Sequence, residues 1–161
     1  MDQHLNQCAM NGVKDVFRHF LKIDISKPEL KVRKVKDLKQ EISVVISFVG
    51  NINGVFALKC SKKFAVAAVA KMMKNVTGQS KIDKMSVTEV RDGLGEILNM
   101  VSGKIKEHFS DKDTFKISVP TIVSGKDYII QIKANENDTT SIIHFNSELG
   151  EFFLEVFLQG K

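Results

Sequence analysis

The sequence predicts an α+β fold in which an antiparallel-rich β-sheet packs against long helices. Two long stretches carry apolar residues at helical spacing, and short β-branched-rich runs separated by turn residues fill most of the remainder. The order helix, strands, helix is followed by helix, strands, which indicates a degenerate internal α/β repeat. With 161 residues, of which 43% are hydrophobic, we expect a single domain over residues 1–161.

The chain opens with a predicted amphipathic helix over residues 2–22, which ends before Pro28. Residues 30–39, L-K-V-R-K-V-K-D-L-K, form the most basic segment and fit an edge strand or a short helix. Nucleic-acid binding is the alternative, but no aromatic residue is interleaved for base stacking. We therefore favour a lysine-rich edge strand and expect no nucleic-acid partner.

A hairpin and a second helix follow. Residues 41–49 and 54–60 are β-branched-rich runs joined by the turn sequence G-N-I-N-G. Ser61 is placed to cap a helix that stops at Thr77 and Gly78. Its apolar residues are expected to belong to the core, namely Phe64, Val66, Ala67, Ala70 and Met73.

The rest of the chain is arranged around a long helix predicted over residues 86–109. Ser86 and Glu89 form a capping box, and Met85 and Val90 stand where a hydrophobic staple would pack. One stripe of the helical wheel is apolar and should face the core: Val87, Val90, Leu94, Ile97, Leu98, Val101, Ile105 and Phe109. The opposite side carries Asp92, Glu96, Asn99, Met100 and Gly103.

An acid and an amide therefore share one outward face, because Glu96 and Asn99 stand about one helical turn apart. Gly93, Gly95 and Gly103 flank the pair although glycine weakens a helix. Small residues around two polar ones would leave room for the backbone of another molecule. The alternative is a solvated polar face on which glycines happen to be tolerated.

Four more strands are predicted in the C-terminal part, over residues 114–119, 127–134, 139–146 and 151–159. The turn sequences S-G-K-D, N-E-N-D and S-E-L-G separate them, so neighbouring strands should pair antiparallel. The repeat is visible when residues 5–20 are aligned with 94–109, because the copies end in R-H-F and E-H-F. Gln7 and Met10 occupy the places of Glu96 and Asn99, so only the second copy has the acid and amide.

Several kinds of protein are excluded or disfavoured. No apolar run approaches the roughly 20 residues of a membrane span, and no secretory leader is visible, so we expect a cytoplasmic protein without membrane contact. Cys8 and Cys60 match no metal-ligand or redox spacing and are expected to be buried thiols. The four histidines and the serines match no metallohydrolase or nucleophile-elbow motif. A net charge of +5 is compatible with an acidic protein partner.

The residues resemble the CheX branch of the CheC, CheX and FliY group of bacterial chemotaxis phosphatases. The resemblance depends first on D-x-x-x-E-x-x-N, here Asp92, Glu96 and Asn99, followed by Gly103 in E-I-L-N-M-V-S-G. It extends to F-V-G-N-I-N-G-V-F-A-L, to I-S-V-P-T-I-V-S-G with Pro120 and Gly125, and to H-F-N-S-E-L-G-E-F-F-L-E-V. Nearly the whole chain is covered, which implies a CheC/CheX-like fold.

The resemblance implies a phosphatase that hydrolyses the aspartyl phosphate of a CheY-like response regulator. Glu96 would pair with a lysine in the regulator's active site, and Asn99 would orient the attacking water. Asp92, Gly95, Met100 and Gly103 would contact the partner. The chain would need no cofactor of its own, since Mg²⁺ belongs to the regulator, and relatives of this type imply a homodimer.

A hypothesis of a different class remains open. The same fold could act as a non-catalytic adaptor that binds a response regulator, or a flagellar or signalling assembly, without hydrolysing phosphate. The presence of both Glu96 and Asn99 favours catalysis, because an adaptor has no need of an amide that orients water.

Overall fold

A computed structural model describes residues 2–31, 40–78, 85–109, 114–128 and 135–161 of the chain. Helices pack on one face of a seven-stranded sheet, and their buried side chains form one core with that face. The helices are α1 (Asp2–Val16), α2 (Lys62–Thr77) and α3 (Val87–His108); the strands are β1 (Glu29–Lys31), β2 (Gln40–Gly50), β3 (Gly54–Cys60), β4 (Phe115–Ile117), β5 (Thr121–Tyr128), β6 (Thr139–Ser147) and β7 (Gly150–Leu158). The predicted α+β class with an antiparallel sheet is confirmed.

Local sequence signals account for the helix boundaries. A π-helical turn, Phe17–Leu21, continues α1, and Lys22 ends it with a left-handed φ of 57°. Ser61 Oγ accepts a hydrogen bond from the Phe64 N–H, and Gly78 closes α2 in the left-handed conformation. Ser86 Oγ accepts from the Glu89 N–H, so α3 begins where the capping sequence predicts.

The sheet has the order β1-β6-β7-β3-β2-β4, and β5 also pairs with β2. Every pairing is antiparallel, as predicted. The hairpins β2-β3 and β6-β7 meet at the centre through β3 and β7. Strand β1 precedes the hairpin β2-β3 in the chain but pairs with β6 of the other hairpin. Strand β5 precedes the hairpin β6-β7 but pairs with β2. The two halves are thus interleaved in one sheet.

The first and third helices bury corresponding positions. In the alignment of residues 5–20 with 94–109, the following aligned pairs are buried: Leu5 with Leu94, Cys8 with Ile97, Ala9 with Leu98, and Val16 with Ile105. Gln7 and Glu96, which are also aligned, are both exposed. The internal repeat stays a prediction, but this match is what two copies of one helix would show.

Three sequence expectations need correction. Val87 was expected in the core but is 64% exposed, because it is the first residue of α3 and its side chain lies at the helix end. On α2, Val66 and Met73 are half-buried but pack against the core, whereas Ala67 is half-buried without belonging to it. The fully covered face also includes Ala65, Ala68, Val69 and Met72. S-G-K-D was expected to be a turn before a strand over residues 127–134, yet these residues lie within β5.

A register shift explains the misassigned turn. Gln40 pairs with Tyr128, and Ile42 pairs with Ser124. Between these two pairs, β5 has three residues where β2 has one. Turn-type residues such as glycine also suit a β-bulge, so S-G-K-D is accommodated inside the strand. Residues 129–134 of that predicted strand, and residues 32–39 of the basic segment, lie outside the described residues. The described part of the basic segment, Leu30 and Lys31, belongs to the edge strand β1.

Candidate functional site

The proposed acid and amide lie on the solvent side of α3. The opposite side is fixed by the predicted stripe, in which Val90, Leu94, Ile97 and the apolar residues after them are buried. Glu96 is exposed and Asn99 is half-buried. Among the described residues, neither side chain has a hydrogen bond or an ion pair. Both groups are therefore available to a molecule that approaches this face.

The neighbouring candidate residues extend the same face along the helix. Asp92 is exposed one turn before Glu96. Met100 is half-buried and packs against the core beneath the surface. A Cβ added to Gly103 would find no described heavy atom within 4 Å, so the space above this glycine is open. The face thus offers a carboxylate at one end and open space at the other.

The glycines near the pair have different surroundings. A Cβ on Gly93 would overlap the Val69 side chain of α2, so this glycine allows close packing of two helices. A Cβ on Gly95 would stand 3.4 Å from Ile122 Cδ1 and 3.5 Å from Pro120 Cβ. Gly95 is therefore buried beneath the chain that leads into β5. The expectation that all three glycines border open space holds only for Gly103.

Residues 118–124 lie along α3 and are held there by hydrogen bonds. Arg91 Nη2 donates to the Ile122 carbonyl oxygen at 3.0 Å, and Nη1 donates to Ser124 Oγ at 3.4 Å. The Ser118 N–H donates to the Ser47 carbonyl oxygen at 2.8 Å, which anchors the start of the segment on β2. Sequence reasoning gave Arg91 no role. The available signal was its position four residues before Gly95, in the same row of the helix surface.

The two cysteines are buried in the core, and His108 pairs with an acidic side chain of another helix. Burial raises the pKa of Cys60 from 9.0 to about 12, and the nearby Glu41 carboxylate acts in the same direction. Burial also raises the pKa of Cys8, so both cysteines are buried thiols as predicted. His108 Nε2 lies 2.7 Å from Asp15 Oδ2 and joins α3 to α1. Within the described residues, no three His, Cys, Asp or Glu side chains are grouped as a metal site would require.

Glu96 and Asn99 lie on the surface of α3 and do not line the cavity at the start of this helix. That cavity has a volume of about 470 Å³ and is lined by the start of α3, including Val90 and Arg91, but not by Glu96 or Asn99. An exposed helix face of this kind can be covered by a protein partner. Among the described helices, none is both long and apolar enough to cross a membrane.

The arrangement supports positioning chemistry. The Asn99 amide can donate through Nδ2 and accept through Oδ1 at the same time, so it can hold a water molecule and a phosphoryl oxygen together. The Glu96 carboxylate can pair with a cationic side chain of a partner.

A sequence profile of the family described as chemotaxis phosphatase CheX matches residues 42–146, which is more than half of the chain. That span includes all but the first two residues of the hairpin β2-β3, the whole of α3 and the candidate site. Among curated proteins, no sequence match was found.

Solved structures share the fold over nearly the full length. A CheC-like protein from Shewanella oneidensis is 29% identical, with a TM-score of 0.74 and coverage of 99% of this chain and 100% of that one. The chemotaxis protein CheX from Desulfovibrio desulfuricans is 22% identical, with a TM-score of 0.77 over 96% of this chain and 99% of that one. CheX from Borrelia burgdorferi, solved in a complex with CheY, BeF3 and Mg²⁺, is 19% identical, with a TM-score of 0.70 over 96% and 97%.

The profile match covers the candidate site, and the fold agrees with the CheX and CheC-like structures over nearly the full length of the chain. The chain belongs to the CheX family of chemotaxis phosphatases.

Proposed function

We propose that this chain is a phosphatase that accelerates hydrolysis of the aspartyl phosphate on a CheY-like response regulator. Glu96 docks the regulator by pairing with a lysine near the phosphorylation site, and Asn99 orients the attacking water. Asp92, Met100 and Gly103 border the same contact. Family membership supports the reaction class, and the Borrelia burgdorferi CheX structure contains CheY as its partner.

The observation that carries the proposal is the unpaired state of the acid and amide on one exposed helix face. The aligned face of α1 provides the contrast. Gln7, in the place of Glu96, donates from Nε2 to Asn11 Oδ1 at 3.2 Å, and Met10 stands in the place of Asn99. On α1 the polar groups bond to each other. On α3, Glu96 and Asn99 have no partner among the described residues and can serve a second molecule.

The chemistry asks little of the phosphatase beyond positioning. The water oxygen forms a bond to phosphorus, the bond from phosphorus to the acyl oxygen breaks, and the regulator's carboxylate leaves. The water proton passes to the phosphate or to solvent. Such a transition state is loose, so an in-line water matters more than a strong base. Asn99 Oδ1 would accept a hydrogen bond from that water while Nδ2 donates to a phosphoryl oxygen.

The first test is the Asn99→Ala variant. We expect the decay of a phosphorylated receiver domain to slow by about 100-fold, because a group that positions the water is removed. Binding should persist, and the melting temperature should change little because Asn99 faces away from the core stripe. The measurement follows phosphorylated receiver domain over time with catalytic amounts of each variant.

Gln7→Ala is the matched control, since Gln7 occupies the position of Glu96 on α1 and is exposed. It should leave the rate unchanged. Equal rates for wild type and a folded Asn99→Ala variant would contradict the catalytic role of Asn99, and a wild-type rate equal to spontaneous decay would favour the adaptor hypothesis. An unfolded variant would show that Asn99 is structural.

The proposal extends to partners and location. The regulator supplies Mg²⁺ and the phosphorylated aspartate, the phosphatase supplies no cofactor, and the encounter takes place in the cytoplasm. We also propose a homodimer, because the sheet ends in strands whose edges can pair across a two-fold axis. Sedimentation at micromolar concentration should give twice the 18.0 kDa chain mass. A monomer mass would contradict the dimer without affecting the role of Asn99.

A further inference from the structure

Val119 is an apolar side chain that is 83% exposed, and it lies in the short segment 118–120 between β4 and β5. A single exposed valine is common on protein surfaces and needs no explanation by itself. This one is distinguished by its position, because the chain around it is tied both to the sheet and to α3.

Two sets of contacts hold the segment. At its start, Ser118 and Ser47 exchange hydrogen bonds, from the Ser118 N–H to the Ser47 carbonyl and from the Ser47 N–H to Ser118 Oγ at 2.9 Å. At its end, Pro120 packs on Gly95, the residue directly before Glu96. A Cβ at position 95 would already be in van der Waals contact with Pro120 and Ile122, so the segment lies directly on this part of the helix.

The contacts also fix where Val119 lies along α3. Arg91 contacts Ile122 and Ser124, whereas Gly95 contacts Pro120 and Ile122, so the segment runs antiparallel to the helix. Four helical residues advance about 6 Å, and two extended residues advance about 6.6 Å. The next residue in the row of Arg91 and Gly95 is Asn99. Residues 118 and 119 therefore come level with Asn99.

We propose that the 118–120 segment is a second wall of the regulator's docking site, with Val119 as its apolar contact. The inference rests on the proposed function and specifies the partner further: the regulator presents apolar surface beside its phosphorylated aspartate. The wall lies level with Asn99 along α3, so a protein that covers the pair can also reach Val119. Gly95 lies beneath this wall, and Pro120 packs against it.

The test compares Val119→Ser with Val119→Ile, which keeps the apolar contact. For Val119→Ser we expect the regulator concentration that half-saturates turnover to rise about tenfold, with the saturating rate within about twofold of wild type. Val119→Ile should behave as wild type. Leu30→Ser is the surface control, because Leu30 is 53% exposed on β1 at the opposite edge of the sheet. It should leave both quantities unchanged.

Binding to a receiver domain loaded with beryllofluoride and Mg²⁺ separates docking from catalysis, since this complex imitates the phosphorylated state without being hydrolysed. Val119→Ser should weaken this binding about tenfold. Unchanged binding and half-saturation in a folded Val119→Ser variant would overturn the wall. If wild type binds the loaded domain but does not accelerate the decay of the phosphorylated domain, the catalytic proposal fails and the binding ratio alone decides the wall. If wild type does not bind, both proposals fail.

Discussion

Glu96 and Asn99 differ in exposure in a way that matches the two tasks proposed for them. The exposed Glu96 carboxylate has rotamers available and can adjust to the cation of a docking partner. The half-buried Asn99 amide has less freedom, which suits a group that must hold water in one direction. The difference in exposure on α3 is thus compatible with the proposed division of docking and positioning between the two residues.

We expect Glu96→Ala to weaken productive association and to affect chemistry at saturation little. Loss of a charge-assisted pair at a partly desolvated interface costs about 1–2 kcal/mol, or about 5- to 30-fold in half-saturating regulator concentration. Turnover measured over a range of regulator concentrations gives the two quantities. Glu148→Ala, which removes an exposed acid in the turn between β6 and β7, is the control. A variant that associates normally but loses turnover would show that Glu96 takes part in catalysis.

At the residue level, the sequence predicts which side of a helix a residue lies on better than it predicts which residues from other elements contact it. Helical periodicity assigned Glu96 and Asn99 to the outward side, and the structure places both there. The surroundings of Gly93 and Gly95 could not be predicted this way, because Val69 and Pro120 come from elements distant in sequence. Arg91 was missed for the same reason, since its acceptors are in β5.

The glycines of α3 provide a prediction about helix packing. For Gly93→Ala we expect a net loss of stability of about 1–2 kcal/mol, because the added methyl group overlaps Val69 and this cost exceeds the gain in helix propensity. For Gly103→Ala we expect a gain of about 0.5–1 kcal/mol, since the added Cβ meets no described atom. Thermal or urea unfolding of the two variants measures both changes.

Activity separates the two glycines further. The added methyl group of Gly103→Ala enters the face proposed for the regulator, so turnover should need a higher regulator concentration although the protein is more stable. A stabilised Gly103→Ala variant with wild-type turnover would remove Gly103 from the contact. Stabilisation by Gly93→Ala would contradict the close approach of α2 and α3.

Most elements were predictable, because each has its own start and stop signals. The caps at Ser61 and Ser86 and the hairpin turn between β2 and β3 are encoded within a few residues. The beginning of β5 was not predictable, since the bulge forms only against β2 and uses the same residue types as a turn. Local sequence therefore specifies elements but not how a partner strand modifies them.

For the whole molecule, the arrangement of the two halves depends on long-range pairing. Antiparallel neighbours were expected from short turns, and β2-β3 and β6-β7 fulfil this. The pairing of β1 with β6 and of β5 with β2 could not be predicted, because no residue pattern within either strand specifies which hairpin it joins. The two halves meet where β3 pairs with β7, so the stability of this junction concerns the entire fold.

A buried ion pair lies at this junction. Lys59 Nζ of β3 is 2.6 Å from Glu155 Oε2 of β7, and both side chains are almost fully buried. Their chain neighbours Leu58 and Leu154 belong to the helix-side core, so the pair lies on the other face of the sheet. Glu155 has no hydrogen bond of good geometry among the described residues, although the ion-pair distance is short. The attraction is therefore mainly that of the opposite charges.

We expect Lys59→Met to destabilise the protein by about 3–5 kcal/mol, because it leaves the Glu155 carboxylate buried without its cation. The double variant Lys59→Met/Glu155→Leu should recover most of this loss, since it removes both charges and keeps apolar volume in the sheet. Arg18→Ala is the control: it breaks a pair with Asp24 whose side chains are 72% and 83% exposed, so it should cost less than about 1 kcal/mol. Urea unfolding gives the free energy for each variant. A small loss in Lys59→Met would show that β3 and β7 are held together without help from this pair. A double variant as unstable as the single one would show that the loss does not come from an uncompensated Glu155 carboxylate.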